Sequence, residues 1–289
     1  MGIGETVSFS LAVSPDMPPR VGDCRSRPTL IRKLTALRDH VAADLELSGL
    51  RLPEGLPSPE SCADVYQAFA QQVRIVDEAS SGYLAALLDS GPCVFEGAQG
   101  VLLDEWYGFH PHTTWSTTTF ANADELLKES GLDRDAALRL GLVRTYTTRH
   151  GAGPLVTEDP ALAAELPEPH NTISTWQGVF RLGHFDAVAH RYALDVCGGA
   201  DALVVSHADA TAAGRRLCWA YQASKDVPPM TKLPRSLVPD LDYQRLLTKT
   251  VSKFAPLYRE TVVGLKRLES ERLAGLDPVA VCDLYRTLY

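Results

Sequence analysis

Val94-Phe95-Glu96-Gly97-Ala98-Gln99-Gly100-Val101-Leu102-Leu103-Asp104 is the stretch from which the rest of the chain can be read. Pro92 to Phe95 predicts a short strand, with β-branched and aromatic residues just after a Gly-Pro turn. It runs straight into Glu-Gly-Ala-Gln-Gly. Gly97, Ala98 and Gly100 carry little side chain, so a ligand can come close to the backbone there. Gln99 adds an amide that both donates and accepts hydrogen bonds, which suits the edge of a purine or an amide-bearing ligand. Glu96 and Asp104 bracket the loop with carboxylates. The same pattern also reads as a plain glycine-rich turn between two elements, and a short Gly motif does not separate the two readings.

Composition narrows the field. The chain has 289 residues, 45% of them hydrophobic and 22% charged, which suits a globular protein able to bury a core. The formal net charge of -8 argues against non-specific nucleic-acid binding, which needs a basic footprint. It leaves room for a local anion site. Cysteines stand at 24, 62, 93, 197, 218 and 282 without a Cys-x-x-Cys pair, so reduced thiols in a cytoplasmic compartment are expected. No apolar run is long enough to span a bilayer, and no signal peptide is visible.

Around the central stretch, strand and helix patterns alternate. Leu30, Ile31, Leu34, Leu37, Val41 and Leu45 predict an amphipathic helix over 28–47, stopped by Gly49. A second helix starts at Ser58-Pro59, with Val65, Phe69, Val73 and Val76 expected on its core side. Residues 83–88, 122–127 and 133–140 read as short helices, and 142–147 as a strand. Further on, 184–197 reads as a helix, 201–206 as a buried strand, and 216–222 as another strand. A proline-punctuated exposed stretch (227–239) precedes helices over 241–254 and 258–273. This alternation predicts an α/β fold with a mostly parallel central sheet flanked by helices, in one domain over 1–289.

Candidate sites follow the loops. Thr114, Ser116, Thr117, Thr118 and Thr119 gather hydroxyls at a density suited to an oxyanion, or form a solvated turn. His110-Pro111-His112 offers two metal-type ligands without a third, so no metal site is assigned. Gly151-Ala152-Gly153-Pro154 follows the 142–147 strand.

Several of these segments, taken together and in order, resemble adenylosuccinate synthetase. Phe95-Glu96-Gly97-Ala98-Gln99-Gly100 with Leu102-Leu103-Asp104 is similar to that family's signature. Thr148-Arg149-His150-Gly151-Ala152-Gly153-Pro154, Gly183-His184-Phe185-Asp186 and Arg20-Val21-Gly22-Asp23 resemble three more of its segments. The family joins inosine monophosphate to aspartate, using GTP and Mg2+. The resemblance implies that Gln99, Gly100, Thr114, His150, Gly151 and Gly153 line a purine monophosphate pocket. It further implies that Thr175 and Arg181 belong to the amino-acid-substrate loop, that Asp209 recognises guanine, and that the chain is a homodimer.

The departures are equally specific. Met1-Gly2-Ile3-Gly4 falls on a family motif that lies well inside the relatives, so the chain reads as truncated at its N-terminus. The Gly-Asp-Glu-Gly-Lys-Gly loop, which carries phosphate, magnesium and the catalytic aspartate, is not among the 289 residues. No catalytic residue is therefore assigned. The family's arginine-rich carboxylate grip reads here Ser174-Thr175-Trp176-Gln177-Gly178-Val179-Phe180-Arg181, with an arginine only at 181. Asp283-Leu284-Tyr285-Arg286 lacks the Gly-Pro that faces guanine in the family. Three readings follow. The chain is a ligase that needs a partner chain to supply the phosphate loop, or a non-catalytic nucleotide-binding sensor or assembly subunit, or a protein whose true start lies upstream.

Overall fold

The computed structural model describes residues 3–76, 82–166, 168, 171, 173, 175–207 and 216–260. The backbone divides into two compact units, Met1–Val94 with Glu129–Gly131, and Phe95–Lys128 with Leu132–Tyr289.

The first unit holds helices α1 (Ile3–Ala12), α2 (Arg27–Leu47), α3 (Pro59–Ala70) and α4 (Tyr83–Ser90). Ser26 caps α2 by accepting from the Thr29 amide, and proline occupies the first turn. At the other end Gly49 adopts φ +72°, and its amide and that of Leu50 close back on Glu46 and Leu45. Cys24, Leu30 and Ala63 form this unit's buried core. Lys33 is buried beside them and is neutralised by Asp23 at 2.8 Å. The expected core face of the second helix is corrected: Val65, Phe69 and Val73 are exposed, and α3 packs through Pro59 and Ala63. A small alanine lets two helices approach closely, which hydrophobic periodicity alone does not report.

In the second unit, β1 (Leu140–Arg144) pairs in parallel with β5 (Ala202–Ser206). β2 (Thr147–His150) pairs antiparallel with β3 (Phe180–Gly183). β6 (Arg216–Gln222) lies between β4 (Phe185–Asp186), parallel to it, and β7 (Ala255–Glu260), antiparallel. Helices α5 (Ala121–Glu129), α6 (Leu162–Glu165), α7 (Ala187–Val196) and α8 (Leu241–Val251) complete the elements. The main core gathers Phe109, Val188, Tyr192, Cys218, Tyr221, Leu233, Leu247 and Val251. Asp186 is the N-cap of α7, accepting from the Ala189 amide while the Tyr221 hydroxyl donates to it at 2.6 Å. No described helix is long and apolar enough to cross a membrane.

The α/β class holds, and the described strand pairings are both parallel and antiparallel. Residues 92–95 form no ladder, and Val94 is 91% exposed, so the strand expected before the glycine loop is absent. Strand propensity without a partner edge does not make a strand. The 133–140 helix reduces to a 3-10 turn over Arg134–Ala136, after which β1 begins. β5 is half-exposed rather than buried, and Leu233 in the stretch expected to be exposed is wholly buried. Residues 258–260 are strand, not helix, because 255–260 finds an open edge on β6. The remainder of that expected helix, and residues 283–286, lie outside the described residues.

Candidate nucleotide site

The site is built on the loop that follows Gly97. Asp104 is buried and accepts from the amides of Trp106, Tyr107 and Thr118 at 3.0, 3.1 and 2.8 Å. A carboxylate taken from water needs this many donors. It thereby folds residues 104–118 back on themselves. Thr118 Oγ1 also donates to the Gly100 carbonyl at 3.2 Å, and the Thr114 amide to Leu103 O at 2.8 Å. Gly108 is required where the loop turns on itself, since a Cβ there would lie 2.6 Å from Asp104 O.

This folding brings Gln99 and Thr114 together through Ser116. The Ser116 hydroxyl reaches Gln99 Oε1 at 3.2 Å and Thr114 Oγ1 at 3.4 Å; its single proton serves one at a time. When Ser116 donates to Thr114 Oγ1, the threonine keeps its own proton for an outside acceptor. Gln99 Nε2 makes no hydrogen bond among the described residues. Gln99 also holds φ +66°, a region that L-residues enter at a cost of roughly 1–2 kcal/mol. Glycine would avoid that strain, so the amide side chain is carried here at a conformational cost.

The second wall is the glycine loop after β2. Arg149 and Arg181 stand directly opposite each other in the β2–β3 ladder. Their guanidinium groups take the loop's consecutive carbonyls. Arg181 donates to Gly151 O at 3.1 Å and Gly153 O at 2.5 Å, and Arg149 donates to Ala152 O at 2.8 Å. Glu158 pairs with Arg181 at 2.9 Å and offsets part of the like-charge repulsion. Burial, and secondly the neighbouring Arg181, push the Arg149 pKa down to about 10, so it stays cationic at neutral pH. With the three carbonyls turned toward the arginines, the Ala152 and Gly153 amides have no partner among the described residues. They are donors for an oxyanion or a sugar oxygen.

Arg149 also ties the two walls together. Its Nη2 donates to the His112 carbonyl at 2.6 Å, two residues before Thr114. Gln99, Gly100, Thr114, Gly151 and Gly153 therefore belong to one hydrogen-bonded assembly. His150 stacks edge-on against Phe180, with ring centroids 5.5 Å apart, and its Nε2 is buried without a partner. Thr175 lies exposed in a turn whose Gln177 carbonyl would be 2.6 Å from a Cβ on Gly151. Arg181, expected in the amino-acid loop, has Nε, Nη1 and Nη2 all engaged within the protein. Asp209 lies outside the described residues.

The organisers are Asp104, Ser116, Arg149 and the His112 carbonyl; the sequence showed these residues in the loops but not that they hold the walls together. Arg149 carried a signal, a basic residue just before a run of small ones, but only the ladder shows which way it points. No group of three or more His, Cys, Asp or Glu side chains able to hold a metal ion occurs among the described residues.

Comparison with known proteins identifies the family. The family model for adenylosuccinate synthetase matches residues 1–256. An adenylosuccinate synthetase of Desulforamulus reducens is 33% identical over 201 residues, covering 68% of this chain and 43% of the relative. That of Aquifex aeolicus is 30% identical over 237 residues, covering 77% and 51%. The chain thus spans about half the length of the curated relatives it matches. Among solved structures, fully ligated adenylosuccinate synthetase from Plasmodium falciparum superposes with a TM-score of 0.69 at 19% identity. That match covers 96% of this chain and 62% of the other, and it shows the fold. With a family model matched over 256 of its 289 residues, the chain belongs to the adenylosuccinate synthetase family.

Proposed function

We propose that this chain binds a purine nucleoside monophosphate between the 97–118 loop and the 149–153 loop. The Gln99–Ser116–Thr114 chain, joined by Arg149 to the glycine loop, carries this reading. Gln99 offers its free amide nitrogen to the purine edge. Thr114 Oγ1 offers its proton to the phosphate. The Gly151–Gly153 segment, whose only side chain is the Ala152 methyl, approaches the ribose.

On this reading the chain contributes the monophosphate pocket to GTP-dependent ligation of an amino acid to inosine monophosphate. Aspartate is the amino acid in the family. The phosphate loop would come from a partner chain or from further residues. GTP with Mg2+ would activate the purine 6-oxygen and neutralise the charge on the transferring phosphoryl group. A second reading, a non-catalytic nucleotide-binding subunit, is favoured by one observation. Arg181, the arginine retained in the amino-acid loop, spends its donors on Gly151, Gly153 and Glu158.

The test is calorimetry with inosine and adenosine monophosphates on the wild type and on Gln99→Ala. Leaving a ligand donor or acceptor unpaired costs about 1–3 kcal/mol, so affinity should fall roughly ten- to hundredfold. A wild type that gives no heat with either nucleotide at millimolar concentration overturns the proposal.

A further inference from the structure

A second concavity lies on the same unit, against the His110–His112 part of the 97–118 loop but lined by neither Gln99 nor Thr114. It is a cavity of about 470 Å³ between the His110–His112 loop and α8. Cavities of this size hold small ligands. Its rim is cationic. Arg245, Lys249 and Lys253 recur at four-residue spacing, so they lie along one face of α8 and the turn that follows it. Arg245 is held by Asp242 and lies 3.5 Å from His110 Nε2. Lys249 and Lys253 have no ion-pair partner among the described residues. Across the cavity stand His110, whose ring faces Arg245, and His112. Burial, then the charges of Arg149, Arg181 and His110, hold the His112 pKa below its ordinary value, which favours a neutral ring offering hydrogen bonds. Thr248 also lines the cavity; it is 5% exposed, and its Oγ1 has no hydrogen-bond partner.

Cations near the end of a helix do complement its dipole, by roughly 0.3–1 kcal/mol. That accounts for a lysine in the last turn. It does not account for a cavity facing three cations in register, on a chain whose net charge is -8. Like charges four residues apart repel, so the row is destabilising until an anion lies over it.

We propose that this cavity binds a small anion bearing two or three linked phosphate groups. Linked phosphates match the charge row, which a single carboxylate would not span. Arg245, Lys249 and Lys253 neutralise the phosphates, and His110 and His112 hydrogen-bond their oxygens. The cavity shares no lining residue with the monophosphate pocket: Gln99, Thr114, His150, Gly151 and Gly153 are all outside it. It is therefore an additional site, and His112 belongs to both regions, lining the cavity here and giving its carbonyl to Arg149.

The experiment is calorimetry on the full chain with pyrophosphate, and separately with a nucleoside diphosphate, at fixed ionic strength. The variants are Lys249→Gln/Lys253→Gln, with Lys225→Gln, which removes a single charge from an exposed turn, as the control. All three lysines are exposed, so the variants should fold. Saturable pyrophosphate binding is expected in the wild type and in Lys225→Gln. It should weaken roughly tenfold in the double variant, the combined effect of two exposed charges. Tighter binding of the nucleoside diphosphate would show that the cavity also accepts a nucleoside; equal binding would show that the phosphates alone are recognised. Absence of pyrophosphate binding in the wild type, or equal affinity in the double variant, overturns the proposal.

Discussion

Replacing Gly153 with alanine tests the arrangement that holds the nucleotide loops together. Gly153 has φ +107°, and a Cβ there would sit 2.4 Å from Arg149 Nη2 and 2.7 Å from Cζ and Nε. A surface arginine would swing away. Arg149 is 6% exposed and held by its bonds to Ala152 O and His112 O, so it can yield only by giving up one or both. Hydrogen bonds from a charged donor contribute roughly 1.5–3 kcal/mol each. The positive φ adds on the order of 1 kcal/mol for alanine. Lower entropy of the unfolded chain returns about 0.5 kcal/mol. The net loss is about 2–6 kcal/mol, on the order of a 10 °C fall in midpoint for a domain of this size. Gly199→Ala is the matched control, because Gly199 has φ +93° and nothing within 4 Å of its would-be Cβ. It should lose only the strain, about 1 kcal/mol. Thermal unfolding followed by circular dichroism reads both. If Gly153→Ala melts with Gly199→Ala, Arg149 is not pinned and the link between the loops is wrong.

Two buried groups one turn apart on α7 should give opposing pH dependences. Burial pushes Asp186 up from 3.8 to about 6, so its contribution is present below pH 3.8 and is lost as pH rises to about 6. Burial pushes His190, whose Nδ1 has no partner, down from 6.5 to about 4, so its contribution is present above pH 6.5 and is lost as pH falls toward 4. Each amounts to about 3 kcal/mol, and in the wild type they largely cancel between pH 4 and 6. Urea midpoints should fall with acid in Asp186→Asn and rise with acid in His190→Gln; parallel profiles for both variants would refute this. The 289-residue chain alone should not make adenylosuccinate from inosine monophosphate, aspartate and GTP. Turnover at an ordinary enzyme rate, about 1 per second or faster, would show that the phosphate loop is not needed.

The sequence by itself determined the family and the α/β class, and it marked the glycine loops on which the proposed site is built. Those features are local. Glycine spacing, a glutamine among small residues and the order of short motifs survive in one dimension. Helix ends were legible for the same reason: Ser58 caps its own next turn, and Gly49 closes its own last one. What needed tertiary structure were the partnerships. The sequence did not show that 92–95 would lack an edge to pair with, or that 255–260 would find one on β6. It placed Arg181 among the ligands of an amino acid, yet the ladder sets it opposite Arg149 and turns it onto the glycine loop. It read His110 and His112 as a weak metal pair, yet α8, far along the chain, lays three cations beside them. Hydrogen bonds and charges act over a few ångströms in space, and a residue's role is fixed by the groups that folding brings within that distance.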